Sequence, residues 1–257
     1  MNVIDKLKNT IKGRTVGLIA RGKSIENLEG MIGYFRDKDI CWASMNLIAP
    51  AEILLNKIDK KLDFISDCSN ATLRDTFEPE VRRPRFENYL SKGNNLLMIS
   101  NTVIDDFKIT KQDDLLDKYK ESIVTIDEIF SEPTCPKDVW DAPPNSITLL
   151  LAALIAGQAK KIIIFGLDGY RGNKEFAIDT YYRADLEKED RIKAGGQVTI
   201  GSLGPDSADF ERRWKGIFEM YKKAFCNPDV KIINCSSDSI FTVFPKINYG
   251  QLADFIK

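Results

Sequence analysis

The run Asn145-Ser146-Ile147-Thr148-Leu149-Leu150-Leu151-Ala152-Ala153-Leu154-Ile155-Ala156-Gly157 constrains this chain more than any other stretch, together with the segment Lys161-Ile162-Ile163-Ile164-Phe165-Gly166-Leu167-Asp168-Gly169-Tyr170 that follows it. Asn145 or Ser146 can cap a helix whose faces are apolar or small nearly all round, and Gly157 is placed to end it. Ile162 to Phe165 is too apolar for a half-exposed strand and reads as one buried on both faces, as in a parallel sheet covered by helices. In open sheets of that kind ligands bind beyond the carboxyl ends of the strands. Asp168 and Tyr170, flanked by Gly166 and Gly169, therefore mark the first candidate site.

The same grammar recurs upstream. Val16 to Ala20 is an apolar run before Arg21-Gly22-Lys23-Ser24, and Ser24 is placed to cap a helix beginning near Glu26. Ile40 to Ala43 is the second strand, followed by Met45-Asn46 and a helix opened by Pro50. Phe64 and Ile65 form a third strand that ends at Ser66-Asp67-Cys68-Ser69-Asn70, where Ser69 or Asn70 can cap the next helix. Leu96 to Ile99 is a fourth, ending at Ser100-Asn101. Repeated strand, polar loop and helix predict an α/β, Rossmann-like fold: a mainly parallel sheet with helices on both faces.

From Asp105 to Pro144 the chain is charged and broken by Pro133, Pro136, Pro143 and Pro144, which predicts a connecting segment with a short helix and an edge strand at Ile123 to Ile126. Residues 171–205 are polar and glycine-containing, and predict a lid-like insertion after the Gly-Leu-Asp-Gly-Tyr strand end. Asp206 or Ser207 then caps a helix bearing a stripe of Phe210, Trp214, Ile217, Phe218, Tyr221 and Phe225, and Val230 to Ile233 is the last parallel strand. A single domain over residues 1–257 accounts for all of this.

Composition removes whole classes of chemistry. There is no histidine, so within this chain a Ser-His triad and a histidine-bound zinc are excluded, and proton transfer falls to carboxylates, Lys, Tyr, Cys or the substrate itself. Lys and Arg number 37 against 38 Asp and Glu, a balance that speaks against a nucleic-acid partner. Five separated cysteines without a CxxC pair disfavour a disulfide framework or a zinc site and point to a reducing cytoplasm. The apolar run Ile147 to Ala156 is about half of the roughly 20 residues a spanning helix needs, so no transmembrane segment is expected. Met1 to Lys12 reads as a basic amphipathic helix, which leaves a peripheral membrane contact open.

The remaining candidates lie at strand ends. Gly22-Lys23-Ser24 lacks the first glycine and spacer of a P-loop, yet free amides at a helix start beside Arg21 and Lys23 can hold a phosphate. Asn46 can hydrogen-bond a base or sugar, or its own loop. Asp67 can hold a metal or accept a proton, or serve its turn, and Asp168 has the same two roles open. Tyr170 offers a stacking face and a hydroxyl, while Arg171 and Lys174, with Tyr181, Tyr182 and Arg183, suit a diphosphate or an anionic leaving group.

Taken in order, the Gly22/Ser24 turn, Asn46, the Asn145-Ser146 helix, the Gly166 to Tyr170 strand end and the closing Ile232-Ile233-Asn234-Cys235-Ser236-Ser237-Asp238-Ser239 with Phe244-Pro245-Lys246-Ile247 resemble a known superfamily. It comprises the domain-of-unknown-function 115, or MptE-like, group and the related bacterial sialyltransferases of glycosyltransferase family 42. The sialyltransferase branch implies a CMP-linked sugar donor and no obligatory metal, with nucleotide contacts at Gly22, Ser24, Asn46, Asn145 and Ser146 and site residues Asp168 and Tyr170. The MptE branch implies Mg²⁺-dependent diphosphate transfer from ATP to a hydroxymethylpterin. The chain departs from both: the sialyltransferase histidine falls near Ser202, its second phosphate-binding tyrosine at Phe176, its arginine at Pro143, and the acidic pair of the MptE branch is reduced to Ser66-Asp67-Cys68.

These readings together lead to a transferase that uses a nucleotide-activated sugar, with a glycan or protein acceptor as partner and no required cofactor. Asp168, Asp67 and Tyr170 are its catalytic candidates, and Gly22, Lys23, Ser24, Asn46, Asn145, Ser146, Arg171 and Lys174 its binding candidates. A diphosphokinase with Mg²⁺ on Asp67 is the alternative, and a non-catalytic nucleotide-binding protein the second. Homo-oligomerisation stays open.

Overall fold

The computed structural model describes residues 1–20, 24–45, 48–67, 79–93, 95–131, 146–167, 207–237, 239 and 241–256. Seven strands, β1 (Thr15–Ile19), β2 (Ile40–Met45), β3 (Phe64–Asp67), β4 (Leu96–Ile99), β5 (Ile123–Thr125), β6 (Lys161–Phe165) and β7 (Lys231–Asn234), form one sheet in the order β5-β4-β3-β2-β1-β6-β7. Every pairing is parallel. The fold is α/β and Rossmann-like.

Side chains alternate between the two faces of the sheet, and each face builds its own core. Val16 and Leu18 of β1, with Ile162 and Ile164 of β6, pack with α1 (Val3–Ile11), α7 (Ile126–Phe130), α8 (Ser146–Ala156) and α9 (Ser207–Ala224). Ile19, Trp42, Ile163 and Phe165 pack on the opposite face with α2 (Ile25–Met31), α3 (Ile48–Asn56), α4 (Pro79–Leu90), α5 (Asn101–Ile109), α6 (Asp114–Lys118) and α10 (Tyr249–Ile256). Gly17 is required at the centre of the sheet. A Cβ there would stand 2.5 Å from Trp42 Cζ3, in a ring cluster with Phe35 and Phe165.

Several expectations change in detail. The edge strand expected at Ile123 to Ile126 is β5, one residue shorter because Ile126 opens α7, and the charged stretch around it folds more regularly than expected, into α5, α6 and α7. Local capping explains this: Ser100 Oγ accepts Val103 N–H, and Thr125 and Glu128 form a capping box. The end of α8 is built differently too. The left-handed residue is Gln158, with φ of 61°, and Ala159 N–H reaches Leu154 O while Gln158 N–H reaches Ile155 O, the paired bonds of a Schellman turn. Gly157 instead gives α1 room, since a Cβ on it would meet Ile11 Cδ1 at 2.9 Å.

The amphipathic α1 spends its apolar stripe inside the molecule. Val3, Leu7 and Ile11 are buried in the core beside α8, which removes the face a membrane contact would use. No helix among the described residues is long and apolar enough to cross a membrane. The insertion expected at 171–205 and the caps expected at Ser69, Asn70 and Asp206 lie outside the described residues, as do the side chains of Phe210 and Trp214; Ile217, Phe218, Tyr221 and Phe225 of that stripe are buried.

Candidate functional site

The strand order turns around at β1. From β1 the chain builds outward through β2, β3, β4 and β5, then returns to lay β6 and β7 against the other side of β1. In doubly wound sheets the connections at such a reversal leave a crevice beyond the carboxyl ends of the two central strands, which is where ligands bind. Here those strands are β1 and β6, paired from Thr15 with Lys161 to Ile19 with Phe165 and extended by Ala20 N–H donating to Phe165 O at 2.8 Å.

The described part of this edge is small, polar and internally bonded. Ser44, near the end of β2, donates its hydroxyl to Ile19 O at 3.0 Å, closing β2 over the end of β1. Asn234, the last residue of β7 and only 1 % exposed, donates its side-chain amide to Leu167 O at 3.0 Å and accepts Ser236 N–H on Oδ1 at 3.0 Å. Ser236 is fully buried, and its hydroxyl lies 2.6 Å from that of Ser24. The loop after β7 is held in turn by Asn234 N–H to Pro245 O and Ile247 N–H to Asn234 O.

Ser24 thus differs from its expected role. It occupies the position before α2, but with φ −60° and ψ −7° it is already helical, its side chain makes no capping bond, and its hydroxyl is engaged with Ser236. A helical φ/ψ turns the hydroxyl away from the first-turn amides that a cap must reach. Asp67 also shifts: it is the last residue of β3 rather than a loop residue, paired in register with Ile99 and 6 % exposed. It shares the carboxyl edge with Ser24. Two strand spacings separate β3 from β1, about 10 Å across the sheet. Ser146 begins α8, and because only residues 157–160 separate α8 from β6, that helix runs back along the sheet with its Ser146 end toward the carboxyl edge.

Gly22, Lys23, Asn46, Asn145, Asp168, Tyr170, Arg171 and Lys174 lie outside the described residues, together with Pro143, Phe176 and Ser202. The strands that lead into three of the segments carrying them, β1, β2 and β6, end at the same edge as β3, which carries Asp67. In the sequence Asn234 and Ser236 stood out only as part of the closing run, without a role, and Ser44 did not stand out. The readable signal for the first two was a run of small polar residues directly after a buried strand.

Burial makes two thiols poor nucleophiles at neutral pH. Burial pushes Cys235, beside Asn234, up to about 12, and raises Cys41 far above the ordinary thiol value with the charge of Asp63 adding to the effect. Among the described residues no three His, Cys, Asp or Glu side chains come together as a metal cluster. In comparisons with known proteins, no family model matches the chain and no curated protein does.

Proposed function

We propose that this protein is a transferase that binds a nucleotide-activated sugar beyond β1 and β6 and passes the sugar to a glycan or protein acceptor. The observation that supports this reading is the reversal of strand order between β1 and β6, with the Gly22-Lys23-Ser24 and Asp168-Gly169-Tyr170 segments following those two strands in sequence. The sugar-transfer step itself rests on the motif resemblance. In this reading the backbone amides of residues 22–24 and the Tyr170 hydroxyl meet the charge that develops on the departing phosphate, and Arg171 or Lys174 balances it. Asp168 is the preferred base because Asp67 stands two strands away from β1.

A second reading, Mg²⁺-dependent diphosphate transfer, draws on the Asp67 carboxylate at the same edge of the sheet. With a single carboxylate on β3, magnesium would take its other ligands from substrate phosphates and water, and Lys23 would contact a phosphate.

A thermal-shift series with CMP, CDP, UDP, GDP and ATP, each with and without Mg²⁺, separates the readings, because a ligand that binds only the folded state raises the melting temperature. Stabilisation by CMP or another sugar-carrier nucleotide without metal is the expected result. A shift confined to ATP with Mg²⁺ would move the assignment to diphosphate transfer, and binding without turnover on a broad donor and acceptor panel would leave a non-catalytic nucleotide-binding protein. Tyr170→Phe and Asp168→Asn should lower turnover, and wild-type rates in both would remove the site assignment.

A further inference from the structure

Asn234 ends β7 beside the end of β6 and is linked through Ser236 to the head of α2. Its amide group holds Leu167 O, the carbonyl just before Asp168, while its Oδ1 holds the amide of Ser236, whose hydroxyl meets Ser24, the residue just after Lys23. The hydrogen bonds therefore run without a gap from the end of β6, through the end of β7, to the head of α2 after β1. All three inner members are shielded from water: Asn234 and Ser236 are buried, Leu167 is 8 % exposed, and Cys235 N–H donating to Ile164 O at 2.8 Å keeps the β7 end against β6.

We propose that Asn234 is a positioning residue which, through Ser236, fixes Leu167, just beyond β6, and Ser24, at the head of α2, relative to each other at the carboxyl edge of the sheet where a ligand would bind. Its functional consequence rests on the reading of this edge as a nucleotide site. A carboxamide suits the task because it donates and accepts at once with fixed geometry. Apolar residues could fill the same space but would leave Leu167 O and Ser236 N–H buried without these partners, which is costly.

Asn234→Asp keeps the acceptor for Ser236 N–H and replaces the donor facing Leu167 O with an oxygen. Ser236→Ala leaves both Asn234 bonds standing and cuts only the link to Ser24. The test is amide hydrogen exchange by segment, alongside calorimetric titration with CMP and with ATP plus Mg²⁺. Asn234→Asp is expected to speed exchange about tenfold in the segment that ends at Leu167, the size a lost hydrogen bond of ordinary strength allows. Ser236→Ala is expected to act alone on the first turn of α2, which Ser24 heads, and both variants should weaken the nucleotide that the wild type binds while the sheet amides of β2 to β4 keep their protection. Unchanged exchange in both segments, or a uniform rise over the whole sheet with a matching fall in unfolding midpoint, would overturn the proposal. If Asn234→Asp does not fold, Ser236→Ala decides it alone by the same contrast. A wild type that binds no nucleotide would defeat the proposed function, and the exchange pattern would still judge the clamp.

Discussion

Asp63 stands just before β3 at the amino edge of the sheet, where its Oδ2 accepts Trp42 N–H at 2.8 Å. Burial raises its carboxyl above the ordinary range, against the pull of the Trp42 amide and the positive charges of Arg14 and Lys61. Folding therefore disfavours the charged form: the contribution of this group is complete below the ordinary value of 3.8 and is lost as pH rises through the higher folded value. Asn at this position keeps an acceptor for Trp42 N–H and cannot ionise. Asp63→Asn should thus be more stable than the wild type near neutrality, with the advantage vanishing on acidification toward about pH 3, as read from urea midpoints over that range. A stability difference that does not vary with pH would contradict this assignment. Apart from its neighbour Lys61, little local marked Asp63 in the sequence, since Arg14 and the Trp42 amide that bias it come from the segments of β1 and β2. Ser24 was misjudged for the same reason: its cap role is a local inference, whereas its hydroxyl partner Ser236 arrives from the last strand.

At the scale of elements, patterning alone marked the strands well, because a strand covered on both faces must be apolar throughout and a core helix must carry a stripe. The boundary chemistry was less legible. Gly157 looks like a helix terminator, yet Gln158 takes the left-handed turn and Gly157 answers to α1, a helix about 150 residues away in sequence. Gly157→Ala should push Ile11 and α1 off α8 at a cost of about 1–3 kcal/mol, measurable by equilibrium denaturation. Ile11→Ala on its own should cost about 2–5 kcal/mol. The double variant should lose less than the sum, because the two changes act on one contact. Strict additivity would mean that α1 does not rest on Gly157 as described. The regular helices between β4 and β6 were understated because charged, short helices have little apolar periodicity and depend on caps such as Ser100 and Thr125.

For the whole molecule, the parallel class could be read from the strand runs, but the strand order could not, since which edge of β1 receives β6 is a tertiary choice. The site shared that limit: residues at the ends of β1, β2, β3 and β6 were nominated separately, and it is the sheet that brings those strand ends to one edge. One global consequence is chemical protection. Cys41 and Cys235 are buried on β2 and just after β7, whereas Cys226 is exposed at the end of α9. Peptide mapping after iodoacetamide treatment should find Cys226 modified in the native protein, with Cys41 and Cys235 modified together only through the main unfolding transition. Separate transitions for the two would show that the halves of the sheet unfold independently. A last consequence concerns synthesis. The centre of the sheet is closed by a strand beginning at residue 161 against one beginning at residue 15, so at ribosomal speed the free edge of β1 waits on the order of ten seconds for its neighbour. Until β6 emerges, the first five strands form a sheet with an apolar, unpaired border in the middle of the future core, and this is the interval in which the nascent chain is most open to wrong partners.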